Sequence, residues 1–117
     1  DMKVGIIRCM QTEDFCPGTT DFKMIRERKG VFEGITEDID IVGFCNCGGC
    51  PAKKSVLRAR ELVRRGADTI VFASCIQKGT PLGYPCPFAK KMKTLIERDL
   101  PEGIRFLDYT HEAPPEM

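Results

Sequence analysis

Short apolar runs alternate along this chain with longer stretches whose apolar residues recur at helical spacing, and that alternation predicts its plan. Val4, Ile6 and Ile7 lie in residues 3–9, a run without helical period that ends at Cys9, as expected of a buried strand. Ile39, Ile41, Val42 and Phe44 predict a second strand, residues 69–74 a third that stops at Cys75, and residues 104–109 a fourth leading to His111. Between the second and third, Ala52, Val56, Ala59 and Val63 keep the spacing of an inward helix face. Lys53, Lys54, Arg58, Arg60, Arg64 and Arg65 take its outside, with Pro51 suited to the first position and Gly66 beyond the last turn. A helix over 20–29 would turn Phe22 and Ile25 inward and end on Gly30. A third helix, facing inward through Phe88, Met92, Leu95 and Ile96, should stop by Leu100, because Pro101 disfavours helical geometry in the residue before it.

Strand and helix in this order, joined by right-handed crossovers, predict a single α/β domain of three layers, α/β/α. Its sheet should be four-stranded and mainly parallel, in the flavodoxin-like order 2-1-3-4, over residues 2–111, with 112–117 a frayed tail. Two connections depart from the short loops usual between strand and helix. Residues 10–19 and 76–87 exceed the roughly 2 to 6 residues typical of such loops and are rich in turn formers, and loops of that kind tend to carry function.

Composition narrows what that function can be. A chain of 117 residues buries enough surface to fold without disulfide staples, so its seven cysteines need another explanation. Eighteen Lys and Arg against seventeen Asp and Glu leave a charge of +1, which gives no support to nucleic-acid or anionic-membrane binding. No apolar run approaches the roughly 20 residues needed to span a bilayer, and the first residues lack the apolar core of a secretion signal. The expected compartment is the cytoplasm, where thiols serve metal or redox chemistry more often than structural bridges.

Parallel strands bring their carboxyl ends to a common edge, so Cys9, Cys47, Cys50 and Cys75 can converge despite their separation in sequence. The sharpest group is Cys47-Gly48-Gly49-Cys50, whose glycines allow a turn tight enough for both sulfurs to face one ion. Thiolates are soft ligands. Four of them, or three and an imidazole, satisfy a tetrahedral zinc, and an all-thiolate set suits an iron-sulfur cluster. Further donors would come from Cys16, Cys86 or His111, the single histidine. Cys45 precedes Cys47 by two residues, so in a strand it shares that side, either as a donor or packed beneath the site.

Other readings compete. Cysteine is a good small hydrophobe, and one strand-end cysteine alone would need no further account. Cys47 and Cys50 could form a dithiol oxidoreductase site, activated by the start of the following helix and by Lys53 and Lys54, although the remaining thiols would then lack a task. A metal-stabilised interaction module needs no reaction at all. Two phosphate readings fail: Lys53 stands where a P-loop needs its second glycine, and neither Cys9 nor Cys47 is followed by the arginine that closes a cysteine-phosphatase loop.

Taken together, Ile6-Ile7-Arg8-Cys9, residues 12–18 with Cys16, Cys47-Gly48-Gly49-Cys50-Pro51, Ser74-Cys75, Gly79-Thr80-Pro81, Pro85-Cys86-Pro87 and Tyr109-Thr110-His111 resemble the CGGC-domain family nearly end to end. The resemblance implies a metal-binding α/β domain over 2–111 with Cys9, Cys16, Cys47, Cys50, Cys75, Cys86 and His111 as metal-site residues. Cys45 lies outside the family pattern, and Ala52 replaces the glycine often found after the proline. The expected cofactor is zinc, with an iron-sulfur cluster and a redox or sulfur-transfer role as the alternative, and the resemblance implies no particular reaction.

Overall fold

Every strand named above forms, and the register between them explains which residues meet the helices. The structure is a computed structural model that describes residues 1–8, 18–48, 54–73 and 89–107. Its strands are β1 (Met2–Arg8), β2 (Ile39–Asn46), β3 (Thr69–Phe72) and β4 (Arg105–Leu107), and its helices α1 (Thr19–Glu27), α2 (Lys54–Arg64) and α3 (Ala89–Asp99). The sheet runs β2-β1-β3-β4 with every pair parallel. Strand order and class are therefore those the sequence predicts.

Two apolar clusters cover the two faces. On one, Met2, Val4, Ile6 and Val71 of the sheet meet Ile25 of α1 and the fully buried Phe32. On the other, Ile7, Ile70 and Phe72 meet Ala59 and Leu62 of α2 and Met92 and Ile96 of α3. This is the α/β/α sandwich.

A bulge decides which face each residue of β2 joins. Val4 is level with Ile41, but Gly5 is level with Gly43, so Val42 is an extra residue on β2. One inserted residue reverses the side on which every later side chain falls. Ile39, before the bulge, packs on the α1 side, whereas Cys45, after it, packs on the α2 side. A Cβ at Gly5 would stand 3.0 Å from Leu62 Cβ, and one at Gly43 would stand 2.5 Å from Leu62 Cδ2. The paired glycines thus form a trough that lets Leu62 draw α2 close to the sheet.

The helices differ from expectation in detail. α1 ends at Glu27, before Gly30, because Arg28 takes the left-handed cap at φ 55° and its guanidinium donates to the carbonyls of Ile35 and Glu37 at 3.0 and 2.7 Å. The chain then makes a short 3-10 turn, Gly30–Phe32, which drives Phe32 into the core. In α2 the buried positions are Ser55, Ala59 and Leu62, and Val56 and Val63 are half-buried. The helix is rotated toward the glycine trough and leaves Leu57 59% exposed. In α3 Met92 and Ile96 are buried as expected, and Leu95 is exposed. Pro51, Ala52, Phe88 and the expected extensions of β1, β3 and β4 to Cys9, Ser74 and Tyr109 lie outside the described residues.

Candidate functional site

The carboxyl ends of the neighbouring strands β2, β1 and β3 are level. Arg8 of β1 is paired with Asn46 of β2, and Ile7 with Phe72 of β3. Past the strands the alignment continues, with Cys47 N–H donating to the Arg8 carbonyl at 2.8 Å and Ala73 N–H to the Ile7 carbonyl at 2.9 Å. β1, β2 and β3 therefore stop on one line.

Cys47 sits on that line and is 4% exposed, joined to the cluster under α2. Cys45, half-buried, packs against the same cluster, so the two thiols share a side as their spacing predicts. Burial pushes the Cys45 thiol up from its ordinary range, the Arg58 guanidinium pulls it down, and neighbouring Cys47 pushes it up again, with burial the largest effect. Of the other candidates, Cys9, Cys16, Cys50, Cys75, Cys86 and His111 lie outside the described residues. Among the described residues no group of three or more His, Cys, Asp or Glu is placed to hold a metal ion.

The turn after Cys47 is held by side chains that sequence reasoning passed over. Asn46 Oδ1 accepts the Gly48 N–H at 2.8 Å, closing an Asx turn over Cys47. Arg58 Nη1 donates to the same Oδ1 at 2.5 Å and to the Asn46 carbonyl at 3.1 Å. Gly48 has φ 86°, and a Cβ there would stand 2.5 Å from Lys54 Cβ, so glycine is required both by conformation and by the closeness of α2. Arg58, expected on the solvent face, is instead half-buried and turned onto the end of β2. The spacing Asn46-x-Gly48 was the available signal for this turn. On the opposite face Arg8 is 5% exposed, with its guanidinium 5.9 Å from the ring centre of Phe44. Two guanidinium groups thus flank the end of β2, Arg58 on the α2 face with the cysteines and Arg8 on the opposite face.

No helix among the described residues is long and apolar enough to cross a membrane. The chain is 38% identical over 93 residues to the uncharacterized protein MJ0582 of Methanocaldococcus jannaschii, which covers 74% of this chain and 69% of that protein. It is 36% identical over 53 residues to a second uncharacterized protein of that organism, MJ0766, covering 44% of this chain and 76% of the relative. No solved structure matches the chain significantly. The sequence model of the CGGC domain matches residues 3–111, and the chain belongs to the CGGC-domain family.

Proposed function

We propose that this protein binds a metal, holding a zinc ion or a metal cluster through thiolates gathered at the carboxyl edge of the sheet. The observation that supports the reading most is the level ending of β1, β2 and β3, with Cys47 buried on the line they form. In sequence, Cys9 follows Arg8 directly, Cys47 follows Asn46, and Cys75 stands three residues beyond Phe72. Strand ends that are level start these segments from neighbouring points. The family match over 3–111 takes in every one of those cysteines, together with Cys16, Cys50, Cys86 and His111.

The donor chemistry fits the assignment. Cys47 is shielded from water, its following amide is turned back by Asn46, and Arg58, which favours the Cys45 thiolate, would offset part of the negative charge that a thiolate set brings. Zinc leads because it accepts mixed thiolate and imidazole donors, and His111 is available as well as the cysteines. Bound there, the metal would act as a structural centre or as a Lewis acid for a ligand at its open position. The reducing cytoplasm, which keeps thiols free, is the compartment we assign.

Anaerobic purification, metal analysis and a visible spectrum test this together. Stoichiometric zinc and a colourless protein are expected. A brown protein carrying iron and sulfide would move the assignment to an iron-sulfur cluster. A metal-free protein whose Cys47 and Cys50 oxidise and reduce reversibly would replace metal binding with a dithiol role.

A further inference from the structure

We propose that Arg58 positions the Cys47 turn for metal capture, acting through Asn46, an inference that rests on the metal-binding reading above. The basic residues of α2 divide by what they bond. Arg60 pairs with Asp99 of α3 at 2.6 Å, and Arg64 and Arg65 pair with Glu61 at 2.5 and 2.9 Å, all at the exposed surface. Arg58 is half-buried and, among the described residues, hydrogen-bonds to Asn46, where the strand gives way to the cysteine turn. A charged donor set on two uncharged oxygens serves geometry more than ion pairing.

The contacts form a chain of dependence. Arg58 holds Asn46 by both its carbonyl and its side-chain oxygen, which fixes the amide rotamer. That rotamer presents Oδ1 to the Gly48 N–H at 2.8 Å. Cys47 lies between these bonds, with its own N–H secured to the Arg8 carbonyl at 2.8 Å. The peptide units on both sides of Cys47 are therefore anchored before any metal arrives. Without Arg58, Asn46 loses the two bonds that hold its carbonyl and its amide oxygen together, the acceptor for Gly48 is less firmly set, and metal binding must supply more of the ordering that the folded protein now supplies in advance. Partners that orient a ligand from behind typically change metal affinity by roughly 10- to 100-fold when removed.

The test compares wild type with Arg58→Met, Asn46→Ala and Asn46→Asp. It uses anaerobic cobalt(II) titration followed by zinc competition, the thiolate-to-cobalt absorption band, and hydrogen exchange at the Gly48 amide in the metal-free protein. Arg58→Met and Asn46→Ala should each weaken cobalt binding by roughly 10- to 100-fold and speed Gly48 exchange. Asn46→Asp, which keeps an acceptor for Gly48 N–H and a partner for Arg58, should stay close to wild type in both. If Arg58→Met does not fold, Asn46→Ala carries both measurements with the guanidinium left in place. Variants that bind cobalt with wild-type affinity and spectrum, or whose Gly48 exchange is unchanged, overturn the positioning role. A wild-type protein that takes up neither cobalt nor zinc overturns the metal reading itself, a different failure.

Discussion

The two faces of the sheet are built to different ends. The α1 face is lined by large side chains, Met2, Val4, Ile6 and Val71, with Phe32 closing over them, and behaves as an ordinary core. The α2 face also buries large side chains, Ile7, Ile70 and Phe72, but where β1 and β2 run side by side it carries Gly5 and Gly43, and further along β2 it carries Cys45 and Cys47. The two glycines let Leu62 of α2 approach the sheet, and the two cysteines follow on the same side of β2. The difference separates a face packed throughout by large side chains from one that combines a core with the glycine trough and the Cys47 turn.

The contrast can be broken at either side. Phe32→Ala should cause the largest loss, about 3–5 kcal/mol of unfolding free energy measured in urea, because it empties a fully buried position. A loss under about 1 kcal/mol would mean that the α1 face does not carry the core. On the other face the error runs the opposite way, toward overpacking. Gly5→Ala should lose about 1–3 kcal/mol, since the new methyl meets Leu62 Cβ at 3.0 Å and no rotation of that side chain relieves it. Gly43→Ala should lose less, because its near contact is the Leu62 Cδ2 methyl, which can turn away. Equal losses at the two glycines would refute the trough as drawn.

The smallest effect concerns acid. Arg64 and then Arg65 hold the Glu61 carboxyl down from its ordinary 4.5 to about 2. A carboxylate whose value is lower in the folded protein contributes stability that is complete above its unfolded value and is lost as pH falls through the folded one. Wild type should therefore lose slightly more stability than Glu61→Gln between about pH 4.5 and pH 2, in denaturation curves at low salt. The difference should shrink at high salt because the pair is exposed. Parallel curves at low salt would show that the surface pairs of α2 contribute nothing, which would sharpen their contrast with Arg58.

Much of this was readable from residue order. Apolar runs without helical period marked the four strands, and helical spacing after each of the first three called for crossovers and hence parallel pairing. Helix ends were less readable. Gly30 looked like the natural cap of α1, yet Arg28 takes the left-handed position because its guanidinium finds two carbonyls further along the chain. Composition cannot announce such a bond, which exists only once residues 35 and 37 fold back.

By itself the sequence determined the fold class and the strand order, since period and connectivity are local properties that right-handed crossovers turn into parallel pairing. Tertiary structure alone decided which side Cys45 and Cys47 take and what holds the turn after them. Straight alternation from Ile39 would put Cys45 and Cys47 on the α1 side. The extra residue Val42 moves them to the α2 side, where Leu62 fills the glycine trough and Arg58 reaches Asn46. A bulge is a property of two strands in register, and a bond between residues 46 and 58 is a property of a helix laid against a sheet. Neither is written in either segment alone.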